Sequence, residues 1–123
     1  MDKPNIENLI ISWVQSLAEV TTDWPVSGDK PATAPAQFIL VDRTGGPRIA
    51  MVLESASILI EVYHKTSRSI ASEMANYIAD NVHLLPNYAE SITGATVNSL
   101  VNLDDIISEY SRYQLYIDVN NRR

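Results

Sequence analysis

Apolar residues recur at helical spacing near the start of the chain. Polar residues fill the positions between them, Asp2 can cap a helix here, and Pro4 suits a first helical turn. The pattern predicts an amphipathic helix over about residues 4–20. Because its polar face carries no lysine or arginine, we expect the apolar stripe to form core rather than a membrane surface. The stripe consists of Ile6, Leu9, Ile10, Trp13, Val14, Leu17 and Ala18.

Two later segments have strand patterns. Gln37–Arg43 is an apolar run between Pro35 and the Gly45-Gly46-Pro47 turn, and Ser55–Lys65 places alternate residues on two faces with the period of two that predicts a strand. Residues 48–53 continue in extended form, and Gly45-Gly46-Pro47 lies between the strand patterns. We therefore predict a hairpin or β-arm over about residues 43–57 that joins the two strands.

The second half of the chain again has a helix pattern followed by strand patterns. Apolar spacing from Ser67 onwards predicts a second helix, which Pro86 should stop. Residues 92–103 have a weak strand pattern, and Arg112–Val119 alternates clearly. Between these two strands, the acidic residues Asp104, Asp105 and Glu109 predict a turn.

The predicted order of elements is α-β-β-α-β-β. This order fits an α+β fold with a mainly antiparallel four-stranded sheet and two helices packed on one face. A length of 123 residues fits a single domain over residues 1–123.

A long loop separates the first helix from the first predicted strand. Residues 21–36 contain three prolines and one glycine, which argues against a regular element there. Loops of this length often carry function. Trp24 within the loop is either an exposed anchor for a partner or a side chain that folds back onto the core. The sequence leaves both interpretations open.

Composition and charge narrow the classes of function. The chain has no cysteine, which excludes disulfides, thiolate metal sites and a cysteine nucleophile. The net charge of −6 and the isoelectric point of about 4.7 disfavour binding to nucleic acid. No apolar run approaches the ~20 residues of a membrane span, and the signal-peptide pattern is missing. We therefore expect a soluble protein made in the cytoplasm, with no membrane partner.

Catalytic and metal-binding patterns are weak. His64 and His83 are nineteen residues apart, without the spacing of a shared metal site. His83, near the end of the second predicted helix, is explained as a partner of the helix dipole. Gly45-Gly46-Pro47 lacks the Gly-Lys-Ser/Thr of a phosphate loop, and the acidic turn does not match an EF-hand. We expect no enzymatic activity, no cofactor and no metal.

Glu61 is an ionisable residue among apolar strand neighbours. It either lies on the solvent face of its strand or pairs with an arginine of a neighbouring strand, such as Arg112. Together with Tyr63 and His64 it forms the polar cluster that a small-ligand site could use. A ligand-binding α+β domain is therefore one alternative function.

Three segments together resemble a known family. They are the strand and turn over residues 38–47, the strand over 58–63 with the helix after it, and the closing strand over 112–119. Across about residues 9–121 the chain is similar to the tail terminator, or tail completion, proteins of long-tailed bacteriophages, particularly the form in actinobacterial phages. The likeness is a pattern of elements and not a catalytic signature.

The resemblance implies a function and partners. Such proteins form a hexameric ring that caps the tail tube, ends its polymerisation and joins the tail to the head connector. The implied partners are further copies of the chain, the tail tube protein and a stopper or head-completion protein. The implied location is the tail–head junction of a virion assembled in the bacterial cytoplasm. Six copies at −6 each would carry about −36, so genome DNA should pass through the lumen without specific binding.

Within that function, the predicted hairpin is a candidate interface. Its glycines, proline and two arginines suit an arm that reaches a neighbouring subunit, although a simple surface hairpin has the same pattern. The candidate interface residues are Trp24, Arg43, Gly45, Gly46, Pro47 and Arg48. The alternative among phage proteins is another head–tail joining protein, a stopper or head-closure protein, which would not need two long helices.

Overall fold

The structure is a computed structural model that describes residues 6–29, 35–45, 53–103 and 110–122. Within these ranges the chain forms a five-stranded mixed sheet with helices packed on one face. The predicted α+β class is therefore confirmed, with one strand more than the predicted four.

Helix α1 spans Ile6–Ser16 and is shorter than the predicted helix. It ends early because the chain turns: the Leu17 N–H donates to the Val14 carbonyl at 3.2 Å, and the Val20 N–H donates to the Leu17 carbonyl at 3.0 Å. Residues 1–5, where the helix was predicted to begin, lie outside the described ranges. The buried side chains of α1 all belong to the predicted stripe, namely Ile6, Ile10, Trp13 and Val14.

The loop after α1 contains a strand that the sequence pattern does not predict. Strand β1, Val26–Ser27, pairs in parallel with strand β2, Gln37–Gly45. The sheet therefore has five strands rather than the predicted four, the added pairing is parallel, and the prediction of a loop without regular structure is corrected. Pro25 precedes β1 but does not occupy it, and its carbonyl accepts from the Ile39 N–H at 2.8 Å. Tertiary pairing thus makes a strand where the local sequence indicates a loop.

Strand β3, Leu53–His64, pairs antiparallel with β2. The two predicted strands are therefore neighbours, as the hairpin prediction requires. Ile39 lies opposite Val62 in this register, so apolar side chains of both strands point to the same face. Residues 46–52, the tip of the predicted arm, are outside the part of the chain that the structure describes.

Helix α2 spans Arg68–Asn81 and begins where the sequence predicts. Ser67 caps it, because its hydroxyl accepts a hydrogen bond from the Ile70 N–H at 3.1 Å. Ala71 and Ala75 are fully buried, which lets the helix backbone lie close to the sheet.

Pro86 begins a short helix instead of ending the second one, which corrects the prediction. The α-helix stops at Asn81, a 3₁₀ turn follows over Val82–Leu84, and helix α3 spans Leu85–Tyr88 with Pro86 in its first turn. Proline suits that position because the first N–H groups of a helix need no partner within it. His83 lies in the 3₁₀ turn with an exposed side chain.

Strand β4, Ile92–Asn102, and strand β5, Ser111–Arg122, complete the sheet. β4 ends one residue before its predicted end, β5 extends beyond its predicted bounds at both ends, and β5 pairs antiparallel with both β3 and β4. The order across the sheet is β1-β2-β3-β5-β4, so β4 forms one edge. The predicted acidic turn, residues 104–109, lies outside the described ranges.

One face of the sheet carries the main core. Buried side chains of α1 and α2 form a single cluster with inward residues of β2, β3 and β5. The two helices therefore share one face, as predicted. Burial of apolar surface in this cluster, at ~25 cal/mol per Å², is the main favourable term for folding. Its fully buried strand residues include Ile39, Ile58, Ile60, Leu115 and Ile117.

Candidate functional site

The predicted interface residues fall into separate places. Arg43 and Gly45 lie at the end of β2, where both still pair with β3. Gly46, Pro47 and Arg48 lie outside the described ranges. The arm and its contact with a neighbouring subunit therefore stay predictions.

Trp24 lies inside the core cluster. Its side chain is 8% exposed, and its ring centroid is 6.2 Å from that of His64. The loop around it is held in place, because the Trp24 N–H donates to the Thr21 carbonyl at 2.9 Å and the Gln37 amide donates to the Asp23 carbonyl at 3.0 Å. The structure therefore shows Trp24 folded back onto the core rather than exposed. A role of Trp24 at an interface stays a prediction.

The opposite face of the sheet carries a polar network centred on Glu61. We call it the helix-free face, because none of the described helices packs on it. The Glu61 Oε2 atom accepts from the Tyr63 hydroxyl at 3.1 Å and from the Gln114 amide at 3.2 Å, and the Arg112 guanidinium lies 3.6 Å away. Of the two interpretations of Glu61, the structure shows the pairing with Arg112. The network joins β3 to β5 through side chains as well as through the backbone ladder.

Three aromatic rings form a second, smaller cluster on the helix-free face. Phe38 and Tyr63 stack with ring centroids 4.5 Å apart, and Tyr110 meets both edge-on at 5.5 and 6.0 Å. The Tyr110 hydroxyl donates to the Pro35 carbonyl at 2.6 Å. The Arg112 guanidinium carbon lies 6.0 Å from the centre of the Tyr63 ring. These contacts fix the end of the sheet where β2 begins.

Tyr63 has a pKa above the usual value of 10.0. Burial is the largest cause, the Glu61 carboxylate raises the pKa further, and Arg112 acts in the opposite direction. The folded chain therefore favours the neutral phenol. Because the unfolded chain loses this proton near pH 10, the stabilisation is present below about pH 10 and is lost as the pH rises through the folded value.

We predict that the free energy of unfolding falls above about pH 10, and that Tyr63→Phe makes this fall shallower. Phenylalanine keeps the ring stack on Phe38 but has no proton to lose. Urea unfolding of both proteins at about pH 8 and about pH 11 measures the difference. Tyr88→Phe, at an exposed tyrosine, is the matched control. If the free energy of unfolding falls equally between the two pH values in both variants, the prediction is contradicted.

His64 is a buried acceptor for backbone groups at the start of α2. Its Nδ1 atom accepts from the Thr66 N–H at 3.2 Å and from the Ser67 N–H at 2.9 Å. Because successive residues of a strand point to opposite faces, His64 and Tyr63 lie on different sides of the sheet. The cluster of Glu61, Tyr63 and His64 that a small-ligand site would use is therefore divided between two faces, which corrects that nomination.

β4 is a long edge strand that lacks two common kinds of edge protection. Over eleven residues it contains no charge and no proline, both of which proteins often use to block sheet edges. Val97 and Val101 are 43% and 41% exposed, and none of the described strands pairs with the outer side of β4. Register irregularities after Ile92 and after Val97 divide it into two regular stretches. The opposite edge, β1, has only two residues, so β4 is the edge open to another strand.

The described residues contain neither a cluster of metal-binding side chains nor a membrane-spanning helix. No group of three or more His, Asp or Glu side chains among them could hold a metal ion. None of the helices in the described part of the chain is long and apolar enough to cross a membrane.

Comparison with known proteins identifies the fold. No family model matches the chain, and no curated protein matches it. The 27 matching chains of solved structures include one from the virion of a native gene transfer agent particle. That chain is 11% identical, with a TM-score of 0.64, and the match covers 89% of this chain and 84% of that chain. The two chains share a fold. At this identity the likeness establishes the architecture alone.

Two features of the candidate surfaces were missed from sequence. The open edge had a visible signal, because residues 92–102 combine a strand pattern with no charged residue and no proline. The stacking of Phe38 on Tyr63 had a weaker signal in the sequence. It depends on the register between β2 and β3, and the sequence does not define this register because the length of the turn is unknown.

Proposed function

We propose that the chain is a structural protein of a phage-like virion and that copies of it form a ring that closes the end of the tail tube. The observation that carries the proposal is the similarity of fold to a virion chain, over 89% of this chain and 84% of that one. The resemblance of residues 38–47, 58–63 and 112–119 to tail terminator proteins supports the specific role. In that role the ring ends tube polymerisation and joins the tail to the head connector, without enzymatic activity.

The open edge of β4 supports self-assembly. A ring forms when one surface of each copy fits a different surface of the next copy. β4 offers unpaired backbone groups flanked by exposed valines, and it carries no charge that would oppose a neighbouring strand. The net charge of −6 supports a lumen through which DNA passes without binding, provided that acidic groups line it.

Native mass spectrometry of the purified chain tests the ring. We expect a species at six times 13.7 kDa that persists on dilution. A closed number other than six favours the alternative of a stopper or head-closure protein. Should the chain be monomeric alone, the second measurement adds it to polymerising tail tube protein, where it should bind and shorten the tubes. A chain that stays monomeric and leaves tube length unchanged contradicts the proposal.

A lysine on the edge of β4 should weaken the ring. Val101→Lys places a charge beside the unpaired backbone, and we expect the concentration for half-assembly to rise about tenfold or more. Asn76→Lys adds the same charge on the exposed side of α2 and should leave assembly unchanged. Native mass spectrometry over a dilution series compares the two variants. If both assemble like the parent chain, β4 does not form the contact.

A further inference from the structure

A small cleft lies between the loop after α1 and helix α2. Its volume is about 270 Å³, and it is open to solvent. The α2 wall presents residues spaced by three and four positions, which places them on one side of the helix. The Glu19 N–H donates to the Tyr77 hydroxyl at 3.3 Å, a contact that links the two walls. The lining consists of Glu19, Trp24, Ile70, Glu73, Met74 and Tyr77.

The floor of the cleft is apolar and aromatic. Met74 and Trp24 are 7% and 8% exposed, so the floor is well packed, whereas Ile70 leaves 42% of its surface in water. Covering Ile70 with another apolar group is favourable. The volume lies just below the ~300–1,000 Å³ of typical small-molecule sites, so the cleft suits one or two protein side chains.

The rim of the cleft is negative. Glu19 and Glu73 are both exposed, and among the described residues that line the cleft there is no lysine or arginine. Within the described part of the chain neither carboxylate has a hydrogen bond or an ion pair. An occupant with an apolar stem and a positive end would complement both the floor and the rim.

We propose that this cleft binds an arginine side chain, next to an apolar residue, from a segment of a different protein. The aliphatic stem would cover Ile70 and Met74, while the guanidinium reaches the two carboxylates. A planar guanidinium also stacks on aromatic rings, which favours arginine over lysine. A basic partner segment fits better than a second copy, because this chain carries fifteen acidic and nine basic residues. The proposal is independent of whether the chain forms a ring.

Two labelled peptides that differ in one group test the proposal. In the first, an arginine stands between two leucines; in the second, citrulline replaces the arginine and keeps its shape without its charge. Fluorescence anisotropy with the full chain measures both dissociation constants, whatever the oligomeric state. We expect the arginine peptide to bind with a dissociation constant of about 1 mM or below and the citrulline peptide about tenfold more weakly.

Variants of the chain locate the binding. Glu19→Gln combined with Glu73→Gln should weaken the arginine peptide about fivefold and leave the citrulline peptide unchanged. Asp29→Asn combined with Glu90→Gln removes the same charge at exposed positions outside the cleft and should change neither. Ile70→Ala should weaken both peptides, because it removes apolar surface that both would cover.

Three results would overturn the proposal. Equal affinities of the two peptides would mean that the charge is not recognised. Equal weakening in the cleft and control variants would indicate general attraction to an acidic protein. Self-association of the chain that Ile70→Ala abolishes, without binding of the arginine peptide, would assign the cleft to a second copy.

Discussion

Replacing Trp24 with alanine should lower the free energy of unfolding by about 3 kcal/mol. The expected loss is large because Trp24 is 8% exposed and belongs to the main core cluster. Clefts of about 270 and 320 Å³ already flank the Trp24 side chain, which therefore makes fewer packing contacts than a fully enclosed one. The expected loss of stability falls at the low end of the range for a buried aromatic side chain. Urea unfolding at one fixed protein concentration, followed by far-ultraviolet circular dichroism, measures it.

Tyr88→Ala is the control for this experiment. Tyr88 is also aromatic, but it is 44% exposed on α3, and its loss should change the free energy of unfolding by less than about 0.5 kcal/mol. If Trp24→Ala lowers the free energy of unfolding no more than the control does, the indole side chain contributes little to the stability of the core. Trp24 would then return to its other interpretation, as an anchor for a partner.

The elements that the sequence predicted correctly are those with a strong period of their own. Residues 55–64 alternate so regularly that their two faces are evident without the structure, and Ile58, Ile60 and Val62 are indeed fully buried. Ser67 indicated the start of α2 because a serine hydroxyl can accept from an N–H group of the first turn. Local chemistry was sufficient at these positions.

The errors in the fold occur where tertiary contacts decide. β1 has only two residues, and it is a strand because β2 lies beside it and accepts its pairing. Pro86 has two compatible structural roles, since proline ends one helix and begins another with equal ease. The packing of α3 against the start of β4 selects the second role, and no pattern in residues 82–88 indicates that packing.

Among the polar groups, too, one role could be predicted from the sequence and another could not. The pairing of Glu61 with Arg112 was predictable because opposite charges on adjacent strands of one sheet face favour contact. The role of His64 was not predictable, because its hydrogen-bond partners are backbone N–H groups, which every sequence contains. A histidine near a strand end therefore suggested a ligand site, whereas the structure uses it as a local cap.

His64→Ala should lower the free energy of unfolding by about 2 kcal/mol. The substitution leaves the N–H groups of Thr66 and Ser67 without their acceptor, and an unsatisfied buried donor costs about 1–3 kcal/mol. Water can reach part of this turn, so the two losses should not add in full. Urea unfolding against the parent chain measures the change.

Two further variants separate the acceptor of His64 from its ring. His64→Asn keeps an acceptor that can reach the N–H groups two and three residues ahead, as asparagine does in turns, but loses the ring beside Trp24. His64→Phe keeps a ring of similar size and loses the acceptor. Because we attribute the effect to the backbone hydrogen bonds, His64→Asn should be the milder change, by about 1 kcal/mol. If His64→Phe is milder instead, packing against Trp24 is the dominant role, and α2 starts through the Ser67 cap alone.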